Sequence, residues 1–394
     1  MMIGYEKLNT PCYIIDKLTL DNGIENLKNA LDFAWGNYII GYSYKTNSLP
    51  WLIEYFKNRG CFAEVVSDDE YELAKSIGIN SKRIIYNGIA KSKESFIECV
   101  RNGAIVNIDA EYEIDWLNEV NEIPRGVGIR VNFDLESRCP GTEQNANDGG
   151  RFGFCYENGE LKKAIDRITS TGVRVEGIHL HKSSKTRMPD VYKAIAEIAV
   201  EIGDEYNLDL SYIDIGGGFF GGLKTKPPFP EYFNMISEVL KRRYDPNKTV
   251  LIVEPGNALV ASSIEYVTRV LDIKKTKKTT FVTTDGSRIH VDPLMTKKTY
   301  SYDIYYCDNQ VRDTIDRQVI AGFTCMENDR LFEINDGIRL FPGDRIVYKN
   351  VGAYTMCLAP LFIKWYPDVY LHKEDVMETV QYKWTYEEYK QKKR

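Results

Sequence analysis

The sequence predicts an α/β protein in which a (β/α)8 TIM-like barrel is joined to a second, mainly antiparallel β domain. As far as about residue 256, eight short apolar runs rich in β-branched residues alternate with amphipathic helical patterns. Strands that are apolar throughout are typical of parallel strands covered on both faces, as in a barrel. After residue 257, strand-like runs follow one another without long helices between them, which predicts an antiparallel sheet. We therefore assign 17–256 to the barrel, and 1–16 plus 257–394 to the β domain.

Each predicted barrel element has its own local signal. Several of the helical stretches begin at Asp or Ser caps and end at glycine. The extended segment "TPCYIID" at 10–16 is predicted to add a strand to the β domain. A doubly wound open sheet has the same alternation, so this pattern leaves it as an alternative. The predicted strands are 38–44, 61–67, 83–88, 104–109, 126–133, 173–181, 210–218 and 249–256, and the predicted helices include 68–78, 92–103, 159–172 and 190–206.

Composition excludes several classes of function. The chain has 394 residues, of which 43% are hydrophobic and 27% charged, as in ordinary globular proteins of two domains. The net charge of -6 argues against binding nucleic acid through a broad basic surface. No run of 18 apolar residues occurs, and the start "MMIGYEKLNT" lacks the regions of a signal peptide. We expect a cytoplasmic protein without a membrane partner.

Cysteine and histidine give little indication of a metal site. The eight cysteines are scattered, without a Cys-x-x-Cys pair or a zinc-type cluster. His179 and His181 would lie on the same side of a strand and so could share a metal. No third ligand lies near them in sequence, and we predict no metal.

Chemically capable residues stand at the ends of the predicted barrel strands. Lys45 ends the first strand, Arg130 lies near the end of the fifth, and His181 ends the sixth. The seventh ends in the glycine turn Gly216–Gly218, and Glu254 closes the eighth. Because the carboxyl ends of barrel strands and the following loops form the active site in this architecture, we expect these residues to converge on one mouth.

This set of residues fits a phosphorylated cofactor held through an imine. A lysine can form a Schiff base, and backbone N–H groups in the turn "DIGGGF" and in "EPGN" (254–257) can approach a phosphate. The cofactor with both properties is pyridoxal 5'-phosphate. Glu254 would keep its pyridine nitrogen protonated, and His181 would lie against its ring. Each of these residues also has an alternative interpretation. Glu254 could be a structural acid, His181 a hydrogen-bonded histidine of the barrel interior, and the glycines could only permit a tight turn.

Eleven segments in order along the chain resemble one family. They are "TPCYIID", "YSYKTN", "FAEVVSDDEYELA", "NGIAKSKE", "IRVNF", "GRFGF", "GIHLHKSS", "YIDIGGGF", "EPGNALVA", "GFTCMENDRL" and "GAYTM". On these segments the chain resembles the fold-type III pyridoxal-phosphate decarboxylases, which include diaminopimelate, ornithine and carboxynorspermidine decarboxylases. The resemblance covers nearly the whole chain.

The resemblance implies a role for each matching residue. Lys45 would carry the cofactor covalently, His181 would stack on its ring, and Glu254 would pair with the pyridine nitrogen. Cys325 matches a catalytic cysteine that the family contributes across a head-to-tail homodimer. The other implied positions are Glu64 and Arg130 around the cofactor and lysine, and Ser184, Gly216, Gly217, Gly218, Gly256, Asn257 and Tyr354 at the phosphate.

The sequence departs from the family at the substrate end. Asn257 stands where the family usually has arginine, and Met326 stands where an acidic residue usually follows the cysteine. The segment "SRIHVDPLM" (287–295) lacks the Arg-Pro-x-Leu-Tyr pattern that holds the distal carboxylate of diaminopimelate. We therefore expect an extended or N-substituted amino acid, as in polyamine or siderophore metabolism, rather than simple diaminopimelate or ornithine. Arg288 and His290 are the residues that we expect to bind the distal group of this substrate. The alternative is that both are surface residues of a β-hairpin.

The resulting prediction is a decarboxylase that releases CO2 and an amine. An amino-acid racemase is one alternative, because it shares the barrel, the lysine and the phosphate turn, but it needs a second base from the β domain. A binding protein that has lost catalysis is the other. Such a protein would be expected to lose Lys45 or Cys325, and both are present.

Overall fold

The computed structural model describes residues 4–223, 225–308 and 310–391. These residues form strands that fall into two sheets of nine strands each. The strands are β1 (Cys12–Asp16), β2 (Tyr38–Ser43), β3 (Phe62–Val65), β4 (Ile84–Tyr86), β5 (Ile105–Ile108), β6 (Val127–Asn132), β7 (Phe154–Cys155), β8 (Val175–His179), β9 (Tyr212–Asp214), β10 (Val250–Val253), β11 (Ile264–Lys275), β12 (Thr280–Thr284), β13 (Tyr302–Tyr305), β14 (Thr314–Ala321), β15 (Arg330–Ile338), β16 (Arg345–Tyr348), β17 (Asp368–Lys373) and β18 (Val376–Gln381).

The helices alternate with strands in the first part of the chain and are short in the second. They are α1 (Lys17–Ala34), α2 (Pro50–Asn58), α3 (Asp68–Ser76), α4 (Lys93–Arg101), α5 (Glu111–Trp116), α6 (Leu135–Arg138), α7 (Glu160–Ser170), α8 (Pro189–Glu205), α9 (Phe229–Leu240), α10 (Asn257–Val260), α11 (Arg288–Val291) and α12 (Tyr386–Lys390), with 3-10 turns at Tyr5–Lys7, Tyr44–Thr46, Ser81–Arg83 and Leu117–Glu119. Serine caps begin α3 and α4, where the hydroxyls of Ser67 and Ser92 accept backbone N–H groups of the first turn.

Residues 23–258 form one compact unit, which is the predicted barrel fold. Its strands pair in the closed parallel order β2–β3–β4–β5–β6–β8–β9–β10, and β10 returns to β2. The pairing of β5 with β6 and of β10 with β2 closes the ring, which excludes the open sheet. The short strand β7 pairs only with β6, outside the ring.

The barrel interior is apolar in its lower layers and polar where the strands end. One buried cluster takes a side chain from each of four strands: Ile85, Ile105, Tyr212 and Ile252. The observed strands stop earlier than predicted, since β8 ends at His179 and β9 at Asp214. His181 and the glycine turn therefore lie in the loops that follow β8 and β9, where the backbone is free to present its own N–H groups.

The second compact unit comprises the residues up to 22 and those from 259 onward. Its sheet has the order β15–β14–β12–β11–β1–β17–β18, and β16 also pairs with β11 and β13. Most of these pairs are antiparallel, while β1 with β17 and β12 with β14 are parallel. The segment "TPCYIID" thus supplies strand β1 to this sheet, as expected. Among the described residues, no helix combines the length and apolar character needed to cross a bilayer.

Candidate active site

Lys45 lies just beyond the end of β2, in the 3-10 turn Tyr44–Thr46. Its Nζ donates a hydrogen bond of 2.7 Å to Oε2 of Glu64, whose side chain is fully buried on β3. The hydroxyl of Ser43 donates to the same oxygen at 2.5 Å. The side chain of Lys45 keeps 37% of its surface exposed. The ammonium group thus has a buried counter-ion on one side and access from the mouth of the barrel on the other.

Glu254 follows β10 and lies in a buried group with Asp214 and His179. The three side chains offer metal-ligand atoms within 4.8 Å of one another, and Nε2 of His179 lies 3.4 Å from Oε2 of Glu254. Burial and the neighbouring Glu254 raise the pKa of Asp214 well above its usual range. Burial also acts to raise the pKa of Glu254, but His179 and Lys45 outweigh it and hold this pKa below its usual range. Asp214 therefore keeps a proton and Glu254 is ionised.

His181 is held as a neutral imidazole beside this group. Its Nδ1 accepts the backbone N–H of Gly217 at 3.2 Å, which places the ring proton on Nε2. Burial, reinforced by the positive charges of Arg130 and Lys45, lowers its pKa from 6.5 to about 3. The ring lies nearly parallel to that of His179, with an interplanar angle of 22°. A neutral ring of fixed orientation is suited to stacking on another aromatic ring.

The glycine turn after β9 lies against the same residues. Gly216 has φ +69°, and a Cβ at this position would collide with the His181 side chain; a Cβ at Gly217 would collide with the carbonyl oxygen of Glu254. The N–H of Gly216 donates to Asp214 and that of Gly217 to His181. In the described part of the chain, only the Gly218 N–H of this turn forms no hydrogen bond. Of the three backbone N–H groups predicted to bind an anion, the one of Gly218 is therefore available for it.

Arg130 at the end of β6 borders an open cavity. Its Nη1 lies 3.2 Å from Oδ2 of Asp109, its Nε has no hydrogen-bond partner, and its guanidinium lies over the ring of Phe152. The cavity has a volume of about 500 Å³ and is also lined by His181 and Lys182. The ammonium of Lys182 donates to Asn132 and Phe133 and pairs with Glu143. Since those contacts use all three of its N–H bonds, Lys182 fixes the cavity wall.

The remaining barrel residues of the predicted phosphate site lie in loops after β8 and β10. The hydroxyl of Ser184 accepts the backbone N–H of Arg187 at 2.8 Å. Gly256 packs so closely on Thr46 that a Cβ would overlap its hydroxyl, and Asn257 begins the short helix α10. These contacts connect the Glu254 loop with the turn that holds Lys45.

In the β unit, Cys325 lies on an exposed turn organised by the buried carboxylate of Asp329. That carboxylate accepts hydrogen bonds from the Ser287 hydroxyl, the Arg288 N–H, and both the N–H and the hydroxyl of Thr324. These hydrogen bonds hold the segments 285–290 and 322–329 together. Cys325 lies in the second segment and is exposed to solvent.

The other predicted residues of this unit differ in their surroundings. Arg288 and His290 lie in helix α11, and the ring of His290 is buried and hydrogen-bonded to the Tyr266 hydroxyl at 2.7 Å. The alternative that both are surface residues of a β-hairpin is therefore wrong, because Asp329 and Tyr266 draw this segment into the core. Tyr354 is 42% exposed and has a φ of +55°. Met326 follows Cys325, and its backbone N–H donates to the Thr324 hydroxyl at 3.4 Å.

The barrel residues fit pyridoxal phosphate by their chemistry. Lys45 supplies an accessible amine, Glu254 an ionised buried carboxylate, and His181 a neutral aromatic face. The Gly218 N–H and the unpartnered Arg130 Nε are donors for an anionic group. The class defined by this fold and these side chains is that of barrel enzymes dependent on pyridoxal phosphate.

Comparison with known proteins identifies the family. Residues 20–261 match the family model described as "Pyridoxal-dependent decarboxylase, pyridoxal binding domain". The chain belongs to this family. It is a pyridoxal-phosphate-dependent decarboxylase that acts on an amino-acid substrate, as predicted, and nothing in the relatives supports the racemase alternative.

Similar proteins cover most of the chain. A probable chloroplastic diaminopimelate decarboxylase of Oryza sativa subsp. japonica is 27% identical, over 93% of this chain and 76% of its own length. The L-glutamyl-[BtrI acyl-carrier protein] decarboxylase of Niallia circulans is 24% identical, over 92% of this chain and 88% of its own. The crystal structure of Methanocaldococcus jannaschii diaminopimelate decarboxylase with L-lysine superposes with a TM-score of 0.83, at 24% identity over 97% of this chain and 91% of that one.

Sequence reasoning missed the polar residues that support the site from within the barrel. Asp109, Asn87 and Asp214 follow or end strands β5, β4 and β9, and each hydrogen-bonds to a residue or loop of the site. The available signal was their position, since each is a polar residue at the carboxyl end of a short apolar strand. The segments "NGIAKSKE" and "YIDIGGGF" include two of them, but their side chains had been assigned no role.

Proposed function

We propose that this enzyme decarboxylates an extended or N-substituted amino acid and releases CO2 and an amine. Lys45 would anchor the cofactor covalently, Glu254 would pair with its pyridine nitrogen, and His181 would stack on its ring. Ser184, Gly218 and the Gly256–Asn257 backbone receive the phosphate, together with the hydroxyl of Tyr354. Cys325 is supplied by a second copy of the chain in a head-to-tail homodimer.

The charges of the barrel residues suit these roles. When bound, pyridoxal phosphate provides an electron sink for the bond that breaks as CO2 leaves. Glu254 is ionised and so stabilises a positive charge on a nitrogen placed against it, while the protonated Asp214 beside it adds no competing charge. The Glu64 carboxylate holds Nζ of Lys45 at 2.7 Å and fixes the direction from which this amine exchanges protons. The thiol of Cys325 would deliver the proton to Cα after CO2 has left.

The observation that carries the substrate proposal is the engagement of Arg288. Its Nε and Nη2 donate to Oδ2 of Asp292 at 3.0 and 2.9 Å, and its side chain is 18% exposed. Burial lowers the pKa of His290 from 6.5 to about 4, so this ring carries no charge at neutral pH. With Asn257 in place of arginine, these three positions offer no free cation to a second carboxylate. The surroundings of these three residues therefore favour a substrate whose distal group is not a free carboxylate.

Diaminopimelate itself is the second candidate, and the name of the Oryza sativa relative favours it. The Niallia circulans relative is named for a glutamyl group attached to an acyl-carrier protein, which is an extended amino-acid derivative. The two names correspond to the two candidate substrates. One has a free carboxylate at its distal end, and the other has a substituted distal group.

Screening for CO2 release tests both candidates. Purified holoenzyme should have the visible absorbance of bound cofactor, and borohydride should abolish it by fixing the cofactor to Lys45. CO2 should then be released from N-substituted or extended amino acids such as carboxynorspermidine at a higher kcat/KM than from meso-diaminopimelate or ornithine. A higher kcat/KM for meso-diaminopimelate would replace the first candidate with the second, and racemisation without CO2 would refute both.

Mixing two inactive variants tests the proposed dimer. Lys45→Ala and Cys325→Ala each remove one half of a shared site, so each alone should be inactive. If subunits exchange, a mixture contains dimers with one intact site, and activity should return. Lys28→Ala mixed with Cys325→Ala is the control for a lysine on the surface of α1. No recovery in dimers shown to have exchanged would contradict the contribution of Cys325 by the partner copy.

A further inference from the structure

We propose that Asn87, just after β4, is a positioning residue that donates to the carboxylates of Glu64 and Glu254 together and thereby tunes the protonation of the cofactor site that they border. One of these carboxylates holds Lys45, and the other is the proposed partner of the pyridine nitrogen. The inference rests on the roles proposed for Lys45 and Glu254 and assigns a function to a side chain that would touch neither substrate nor cofactor.

The amide of Asn87 bridges the two carboxylates directly. Its Nδ2 donates to Oε1 of Glu64 at 3.0 Å and to Oε1 of Glu254 at 2.5 Å. Its side chain is buried, with only 2% of the residue exposed. An amide nitrogen has two hydrogens, so each carboxylate receives one of them. A neutral group thus supplies a donor to two buried anions without adding charge of its own.

The orientation of this amide is fixed from the opposite side. Oδ1 of Asn87 accepts Nδ2 of Asn107 at 2.8 Å, and Oδ1 of Asn107 accepts the hydroxyl of Tyr212 at 2.8 Å. If both amides were flipped, Oδ1 of Asn87 would face two carboxylates, and acceptor would lie against acceptor. The chain of donors from Tyr212 through Asn107 therefore runs in one direction only and ends on the two carboxylates.

Donors to an ionised carboxylate lower its pKa because they stabilise the charged form. Removing the donors of Asn87 would leave the Glu254 carboxylate more basic and the negative field of both carboxylates at Lys45 less compensated, and both changes favour protonation at the site. The two carboxylates have titratable or charged neighbours on several of the surrounding elements. These are Lys45 after β2, Glu70 on α3, His179 and His181 on and after β8, and Tyr212 and Asp214 on β9, with Arg130 on β6 facing His181.

The test is a pH titration of the visible absorbance of the holoenzyme, which reports the protonation of the cofactor linkage without turnover. Asn87→Asp keeps the shape of the side chain and replaces its donors with an acceptor that attracts a proton. We expect the midpoint of the titration to rise by about one pH unit or more, since a like charge and a lost hydrogen bond act in the same direction. Asn107→Ser frees the Asn87 amide to rotate and should raise the midpoint by a smaller amount.

Asn37→Asp is the matched control. Asn37 precedes β2 at the opposite end of the strand, and among the described residues its Nδ2 donates to the Thr249 carbonyl alone, at 3.5 Å. This variant should titrate like the unaltered enzyme. An unchanged midpoint in folded, cofactor-loaded Asn87→Asp would overturn the inference. If that variant does not fold, an unchanged midpoint in Asn107→Ser overturns it.

The same titration separates this inference from the proposed function. An unaltered enzyme without a visible band that borohydride removes refutes the role of Lys45, and this inference fails with it. A band that is present and titrates identically in the Asn87 variants refutes only the role of Asn87.

Discussion

Two buried carboxylates, Glu254 in the barrel and Asp329 in the β unit, are held in different ways. Asp329 accepts hydrogen bonds from Ser287, Arg288 and Thr324, and its two oxygens are fully engaged by groups of the turn it organises. Oε1 of Glu254 accepts a hydrogen bond from Asn87, while its Oε2 lies 3.4 Å from Nε2 of His179, so the groups around it are themselves titratable.

The difference distinguishes a structural carboxylate from one that is available to a ligand. A buried charge whose acceptor sites are all filled by its own chain stabilises a local conformation. A buried charge with unfilled sites costs stability unless something else binds there. The barrel tolerates that cost around Glu254, where Asp214 and His179 also retain unpartnered polar atoms.

The largest effect is expected for Lys45→Ala. Loss of the only proposed covalent anchor should lower kcat by more than about three orders of magnitude, because both attachment and proton transfer at Nζ are lost. Borohydride should no longer fix the cofactor to the protein. Lys28→Ala, on the surface of α1, is the control and should retain full activity. Retention of a borohydride-reducible band in Lys45→Ala would require a different anchor.

Glu254→Gln should lower kcat by roughly 10²–10³-fold, since it removes a preorganised charge from the site while keeping the shape of the side chain. The thermal midpoint of the variant without cofactor should change little, because the lost charge was poorly compensated by the protein. Steady-state kinetics and thermal melting measure the two effects. A large loss of stability with unchanged kcat would place Glu254 in the same structural class as Asp329.

The β unit should contribute a pH-dependent stability through His290. Its pKa is about 4 in the folded protein and 6.5 as the ordinary value, so only the unfolded chain binds this proton between those pH values. Stability is fully present above pH about 6.5 and falls as the pH decreases towards 4, by about 3 kcal/mol for this one group. His290→Asn retains a hydrogen-bonding atom for Tyr266 and should lose that part of the fall. Denaturant unfolding at pH 7 and pH 4.5 measures the unfolding free energy of both proteins. If that free energy fell by the same amount in both between the two pH values, the buried His290 ring could not be neutral.

The smallest effect is expected for Asp329→Asn. An amide nitrogen would replace one oxygen and face groups that are themselves donors, which should cost about 1–3 kcal/mol of unfolding free energy. Asn328→Ala, at an exposed neighbouring position, is the control. Chemical denaturation of both variants gives the comparison. If Asp329→Asn proved as stable as the control, the filled acceptor sites of Asp329 would not be structural.

The sequence predicted the barrel because its signals are local. Each of the eight strands is short and mostly apolar, and serine caps such as Ser67 and Ser92 begin helices within one turn of the predicted residue. Lys45, His181 and Glu254 could be selected for the same reason, since each follows a strand whose end can be read from the chain. The segment 285–290 could not be assigned, because Asp329 and Tyr266, which draw it into the core, lie far from it in sequence.

By itself the sequence determined the fold class and the cofactor, and it selected residues at or just beyond the strand ends, because the apolar pattern marks each strand to within a few residues. Only the tertiary structure decided how those residues are charged and oriented. Asp214 holds the proton and Glu254 the charge because both are buried next to each other. Asn87 bridges Glu64 and Glu254 because β3, β4 and β10 bring three distant segments to one end of the barrel. Such contacts depend on the closure of the barrel, which no local pattern records.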